Sequence, residues 1–320
     1  MNIKHTILMI TYNQEDFIRE ALECLFRQGV LPYEVFICDD FSTDKTRSII
    51  LEYKNKYPDI IKPIFHKKNL GINQNQNYMI DNVKVNGDVI SFLAGDDLYK
   101  DNMLITFDNF INKNSLDLEE GKFILTTNVL KIREDSSILS EINHYKLRNK
   151  DYLKFHIRMK VGSRYTGISR KLFDTMTYWK ENLGLWADYL HAFDLFIQCD
   201  NFYFINETFP IYRSGSGVTN TLKKEIFENS YIKVSNYILK NRRAYLDLSD
   251  IIFLKKTIMI SNIKINTKLK YKVFFFFYQM LSFVDVIKRH NSVKNFIYNF
   301  SPIVPKSIIR LIKKKECDAK

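Results

Sequence analysis

Two pairs of adjacent carboxylates, Asp39-Asp40 and Asp96-Asp97, each close a short apolar run: Tyr33 to Cys38 in one case, Val89 to Leu93 in the other. Runs of this length read as buried strands. In open α/β sheets, ligands bind in the crevice at the carboxyl ends of the strands. Carboxylates delivered there suit a hard divalent cation, which in turn neutralises a phosphate-bearing substrate. The competing reading is architectural: Asp96-Asp97 is a turn before a helix from Asp101, and Asp39-Asp40 caps the helix Thr43 to Tyr57.

The flanking pattern supplies the elements that must hold these groups. His5 to Ile10 reads as a strand ending at Thr11-Tyr12-Asn13. Glu15 to Gln28 has helical spacing, with Phe17, Ile18, Ala21, Leu22 and Leu25 on one face. Thr46 to Tyr57 reads as the next helix and Ile60 to Phe65 as a third strand. Asn69-Leu70-Gly71 reads as a loop, Asn73 to Val85 as a helix, and Val89 to Leu93 as the fourth strand. Strand and helix in alternation predict a parallel sheet with crossover helices, an α/β fold. Further on, Lys100 to Lys113 reads as a helix, Lys122 to Ile132 as a strand, Arg170 to Met176 as the start of a helix and Phe202 to Ile205 as a short strand. Ile211-Tyr212-Arg213 follows, then a flexible Ser214-Gly215-Ser216-Gly217. Arg133 to Lys160 is charged and only loosely periodic, and Val161 to Ser169 reads as a loop over a site.

Composition narrows the class. A chain of 320 residues with 46% apolar content builds one large or two smaller domains, and few Gly and Pro exclude a fibrous or disordered class. The net charge of +12 points to an anionic partner, with lysines spread along the chain and denser at its C-terminus. Cys24, Cys38, Cys199 and Cys317 show no paired spacing, so no disulfide or zinc framework is expected and a reducing compartment fits. No histidine pair has metal-ligand spacing, and His191 reads as structural. Neither G-x-G-x-x-G nor a P-loop occurs, which counts against dehydrogenases and P-loop NTPases. Met1 to Lys4 runs straight into a strand, so no signal peptide is expected. The apolar run Val273 to Ile287 is interrupted and short of the ~20 residues of a spanning helix.

Four segments in order resemble glycosyltransferase family 2, inverting enzymes of the GT-A nucleotide-sugar fold. Ile7-Leu8-Met9-Ile10-Thr11-Tyr12-Asn13 is similar to its opening strand, and Asp39-Asp40-Phe41-Ser42-Thr43-Asp44-Lys45-Thr46 to its Asp-Asp-x-Ser-x-Asp-x-Thr motif. Asn69-Leu70-Gly71 with Asn77 is similar to its Asn-x-Gly segment, and Ala94-Gly95-Asp96-Asp97 to its DxD-type motif. The resemblance covers about the first 110 residues and continues weakly to Arg213. It implies a nucleotide-sugar site made of Thr11, Tyr12, Asn13, Asp39, Asp40, Asn69, Asn77, Gly95 and Asp96. Tyr12 stacks on the base, and Asp40 accepts the base N–H, with Asp39 the other candidate for this contact or for the ribose. Asp96 and Asp97 hold Mn2+ or Mg2+. Two departures stand out: Ala94 replaces the first DxD carboxylate, and Gln76 stands where Arg is common. An inverting transfer needs a carboxylate base for the acceptor hydroxyl. Asp188, in Trp186-Ala187-Asp188-Tyr189, matches the family segment, with Asp194 as runner-up.

From Leu222 the composition turns helical, Lys-rich and aromatic, and Val304 to Lys315 reads as an amphipathic helix. The expected division is a catalytic domain over 1–218 and a helical, basic C-terminal region over 219–320, the latter either resting on an anionic membrane or packing on the catalytic domain. The resemblance implies a metal-dependent glycosyltransferase, expected to be cytoplasmic and, on the membrane reading of the C-terminal region, peripheral at the inner face of the cytoplasmic membrane. It would move a sugar from a UDP-type donor to a saccharide or lipid-linked acceptor in bacterial surface polysaccharide (lipopolysaccharide or capsule) synthesis. Competing readings are an inactive sugar-nucleotide-binding scaffold, kept alive by Ala94, a nucleotidyltransferase, and a basic nucleic-acid-binding protein, for which no recognised motif appears.

Overall fold

The computed structural model describes residues 2–142, 153, 156–157, 166–176, 183–215 and 223–265. The chain divides into two compact units, Met1–Leu222 and Lys223–Lys320. The segments Val273 to Ile287 and Val304 to Lys315, and Ser216-Gly217, lie outside the described residues.

The first unit is built on one sheet. Its parallel wing holds β1 (His5–Thr11), β2 (Glu34–Asp39), β3 (Ile61–Phe65) and β4 (Val89–Ala94), in the order β3-β2-β1-β4. The sheet continues through β8 (Gly167–Ser169), β6 (Phe123–Arg133), β9 (Asn201–Ser214) and β5 (Leu98–Tyr99), while β7 (Ile138–Ile142) pairs with β6. The crossovers from β1 to β2 and β3 go one way and β4 lies on the other side of β1, so the strand order reverses at β1/β4, where α/β sheets open a ligand crevice. Register aligns Thr11 with Asp39 and Ile10 with Ala94, so three strands end together. Pro63 sits in β3, an edge strand of this sheet, where a missing N–H costs least.

Alternation along the strands feeds two apolar layers. Ile7, Met9, Val35, Ile37 and Leu93 pack with helices α1 (Ile18–Cys24), α2 (Thr46–Lys56) and α4 (Met103–Asn114). Leu8, Cys38, Ile90, Ile124 and Ile168 face the other way, with α3 (Ile72–Asn82), α5 (Arg170–Phe173) and α6 (Ala187–Gln198). The second unit contributes α7 (Lys224–Asn241) and α8 (Leu248–Ile265). Asp247 and Asp250 close a reciprocal cap at the start of α8, at 2.9 and 3.3 Å. Among the described residues no helix is long and apolar enough to cross a membrane.

Several element bounds differ from the expectation. The helix foreseen over Glu15 to Gln28 is only Ile18–Cys24; before it the Phe17 and Ile18 N–H groups turn onto the Gln14 carbonyl at 3.0 and 2.9 Å, and the Glu15 N–H goes to Asp44 Oδ2 at 3.0 Å. The helix foreseen from Lys100 begins at Met103: Asn102 is left-handed (φ 68°), and Gln28 Oε1 accepts the Met103 N–H at 2.9 Å. The short strand near Phe202 and the segment at Ile211 are one strand, β9, whose pairing with β6 shifts register on both sides of Asn128. Those shifts carry Asn206-Glu207-Thr208, which reads as a break in sequence.

Candidate active site

The ends of β1, β2 and β4 bring Tyr12, Asp39-Asp40 and Asp96-Asp97 to one edge of the sheet. The Asp-Asp-x-Ser-x-Asp-x-Thr segment is held to the loop after β1 almost residue by residue. Asn13, itself left-handed at φ 48°, donates its N–H to Ser42 Oγ at 2.8 Å, and its Oδ1 accepts the Thr43 N–H at 2.8 Å. Gln14 N–H reaches Thr46 Oγ1 at 2.8 Å, and Glu15 Oε2 accepts the Lys45 N–H at 2.9 Å. Asp44 also accepts the N–H of Thr46, the first residue of α2, so the cap foreseen for Asp39-Asp40 belongs to Asp44. Burial alone would raise the Asp44 pKa, but the Thr46 and Glu15 donors outweigh it and hold the carboxyl below its ordinary range.

Gly95 closes the third side. A Cβ there would lie 2.5 Å from Gln14 Oε1 and 2.8 Å from Thr11 Oγ1, which are hydrogen-bonded to each other at 2.7 Å. The third strand end can approach the first only without a side chain at this position.

The two adjacent aspartates of β2 have different surroundings. Asp40 Oδ1 accepts the Leu70 N–H at 2.7 Å and Oδ2 the Gly71 N–H at 2.8 Å, while Asn69 Nδ2 donates to the Asp40 carbonyl at 3.3 Å. Asp40 thus fixes the Asn-Leu-Gly loop and the start of α3. Asp39 is fully buried. Its Oδ2 accepts from Arg47 Nε at 2.5 Å and from Ser42 N–H at 3.0 Å, whereas Oδ1 accepts no hydrogen bond among the described residues. Arg47 lies over the rings of Phe41 and Phe65, at 5.3 and 5.2 Å. Tyr12 and Phe41 stand exposed beside this pair, 40% and 41% accessible.

Asp96 is buried, and the Asp97 pKa is pushed well above its ordinary value, first by burial and then by the charge of Asp96. Asp97 Oδ1 accepts the Arg213 N–H at 2.9 Å. Among the described residues there is no group of three His, Cys, Asp or Glu side chains able to hold a metal ion. Carboxylate oxygens such as that of Asp96 are the hard donors that a divalent cation takes alongside phosphate and water.

Asp188 lies in the first turn of α6, where its Oδ1 accepts the Tyr189 N–H at 2.8 Å. Asp194, two turns on, is buried. Asn73 of α3 donates to the Gly184 carbonyl, in the turn that leads into Asp188. The helix that follows the Asp40-bound loop is therefore tied to the segment carrying the candidate base. Asn77 is buried on the same helix. His191 is buried, and burial drives its pKa down to about 3, so the ring is neutral near neutral pH. The Cys24 and Cys38 thiols are pushed up to about 12 by burial, which removes thiolate chemistry.

Two site features escape sequence reasoning. Arg213 closes a segment expected only to follow the base, yet it contacts both Asp96 and Asp97. Arg47, which the sequence analysis does not single out, pairs with Asp39. Neither has a local signal, because each partner lies in a different segment.

A family model described as glycosyl transferase family 2 matches residues 6–176. An uncharacterized protein of Mycobacterium tuberculosis is 39% identical over 97 residues, 30% of this chain and 28% of that protein, so the chain matches under a third of that relative's length. The minor teichoic acid biosynthesis protein GgaA of Bacillus subtilis is 26% identical over 197 residues, 57% of this chain and 41% of that protein. The crystal structure of S. aureus TarS 1-349 in complex with UDP-GlcNAc superposes with a TM-score of 0.59 at 19% identity, covering 85% of this chain and 76% of that one. The sheet with its helical layers is that of GT-A glycosyltransferases, and the chain belongs to glycosyl transferase family 2.

Proposed function

We propose that the chain transfers a sugar, with inversion, from a UDP-type nucleotide donor to a saccharide acceptor of a bacterial surface polymer. The observation that carries the donor reading is Asp39 Oδ1: a fully buried carboxylate oxygen with no donor among the described residues, beside two exposed aromatic rings at the strand ends. A buried acceptor calls for a donor, and the ring N–H of uracil or thymine supplies one. Asp39 takes this contact, since both Asp40 oxygens already accept main-chain N–H groups. The Tyr12 ring stacks on the base. Thr11, Asn13, Asn69, Asn77 and Gly95 shape the same edge.

Asp96 and Asp97 would hold Mn2+ or Mg2+ against the donor diphosphate, where the ion stabilises charge on the leaving group. Asp188 takes the proton of the acceptor hydroxyl as it attacks the anomeric carbon, and Asp194 is the alternative base. The TarS complex holds UDP-GlcNAc, which supports a UDP donor, and GgaA carries teichoic acid biosynthesis in its name, which supports a surface-polymer acceptor.

Charge is divided unevenly: Met1–Leu222 has 27 basic and 29 acidic residues, Lys223–Lys320 has 21 and 7. The site-bearing unit is thus net −2 and the C-terminal unit +14, which speaks against a nucleic-acid role for the first and supports peripheral binding of the second to an anionic membrane, with a lipid-linked acceptor.

The test is turnover of UDP-sugars, read as UDP release, in wild type and Asp188→Asn. Loss of turnover with donor affinity retained supports the base assignment. Unchanged turnover moves the base elsewhere, and donor binding without turnover in wild type makes the chain a sugar-nucleotide binder.

A further inference from the structure

We infer that Arg213 is the positioning residue of the Asp96-Asp97 pair, a role that rests on the proposed use of that pair to bind a divalent cation with the donor diphosphate. Arg213 is 2% exposed. Its main-chain N–H donates to Asp97 Oδ1 at 2.9 Å, and its Nε donates to the Asp96 carbonyl at 3.1 Å. One residue therefore fixes both members of the pair, one through its carboxylate and the other through its backbone. The remaining donors reach away from the site. Nη1 donates to the Glu134 carbonyl at 3.0 Å and to Ser136 Oγ at 3.1 Å, in the turn between β6 and β7. Nη2 pairs with Glu20 Oε2 of α1 at 2.7 Å, and the guanidinium lies 5.1 Å from the Phe17 ring centroid.

Three separate segments thus converge on a single planar fork held at the end of β9. A lysine would keep the charge but not the divergent N–H directions. The turn 95–97 leaves β4 with no helix or long strand to stiffen it, since β5 is only two residues long. The Gly95 N–H bonds the Ile10 carbonyl at 3.0 Å and the Asp97 N–H the Ala94 carbonyl at 3.1 Å; Arg213 adds the contacts to the Asp97 carboxylate and the Asp96 carbonyl, and a cation held there needs its oxygens placed to within a fraction of an ångström.

The experiment measures Mn2+ affinity by the EPR signal of the free ion, in the presence of saturating UDP, for wild type, Arg213→Lys and Glu20→Gln. UDP affinity without metal and melting temperature are measured alongside. The expected result is a Mn2+ affinity at least about tenfold weaker in Arg213→Lys, the usual scale for groups that orient metal ligands. Glu20→Gln, which frees only the far end of the fork, shifts affinity in the same direction by less. Metal-free UDP affinity stays unchanged in both. A folded Arg213→Lys with wild-type Mn2+ affinity overturns the inference. If Arg213→Lys does not fold, Glu20→Gln decides, and wild-type Mn2+ affinity there overturns it equally. Wild type that binds UDP but no Mn2+ overturns the metal reading instead, an outcome distinct from equal binding by wild type and variants.

Discussion

Asp39 and Asp40 are neighbours in sequence with separate tasks, and substitution separates them. Asp40→Asn weakens two charge-assisted hydrogen bonds to the Leu70 and Gly71 N–H groups, so it should cost about 1.5–3 kcal/mol in denaturant unfolding. Asp39→Asn should weaken UDP binding about tenfold or more by calorimetry, because an amide group replaces the charged acceptor offered to the base. Arg47→Gln is the control, since it breaks the 2.5 Å ion pair but leaves the Asp39 oxygens. Equal UDP affinity in Asp39→Asn and wild type removes Asp39 from the donor site. The carboxylates and their place at strand ends were legible in the sequence, because each pair closes an apolar run within an alternating strand–helix pattern, although a turn or a helix cap was the competing reading. The split of roles was not, because it is set by Leu70 and Gly71, thirty and thirty-one residues away.

Among the elements, the alternating first half was legible because each strand and helix carries its own periodicity. Of the later elements α4, β6 and the start of α5 were legible as well, whereas β5, β7, β8 and the full length of β9 were not: two residues suffice for β5, and β9 owes its length to pairing with β6 rather than to its own pattern. Helix α6 carries a testable electrostatic consequence. His156 Nε2–H donates to the Tyr189 carbonyl at 2.8 Å, its ring stacks 4.2 Å from the Tyr189 ring, and burial pushes its pKa from 6.5 to about 4. Between those values the unfolded chain binds a proton that the folded chain does not. Stability from this group is therefore complete above about pH 6.5 and is lost as pH falls through about 4. Each such histidine contributes a slope of at most about 1.4 kcal/mol per pH unit in that window. His156→Leu should flatten the pH dependence of unfolding between pH 6.5 and 4; an unaltered slope would show that His156 is protonated without penalty.

At the scale of the whole molecule, the net charge of +12 suggested an anionic partner for the chain at large, and the division into units places that charge on the second, at +14 against −2. Co-sedimentation with phosphatidylglycerol vesicles should be strong at low salt and fall steeply as ionic strength rises, with neutral vesicles left unbound. Absence of binding to anionic vesicles would leave the lipid-linked acceptor without support. The family is carried by short motifs within the first hundred residues, which is why it was legible early, whereas the sugar and acceptor depend on surfaces with no such signature. The most direct measurement is calorimetric titration of UDP with and without Mn2+, on wild type and Asp96→Ala. The account predicts that Mn2+ tightens UDP binding in wild type and that the gain disappears in Asp96→Ala, with residual metal-free binding through Tyr12 and Asp39. UDP binding that is absent, or that Mn2+ strengthens equally in both proteins, would contradict a donor site at the ends of β1, β2 and β4.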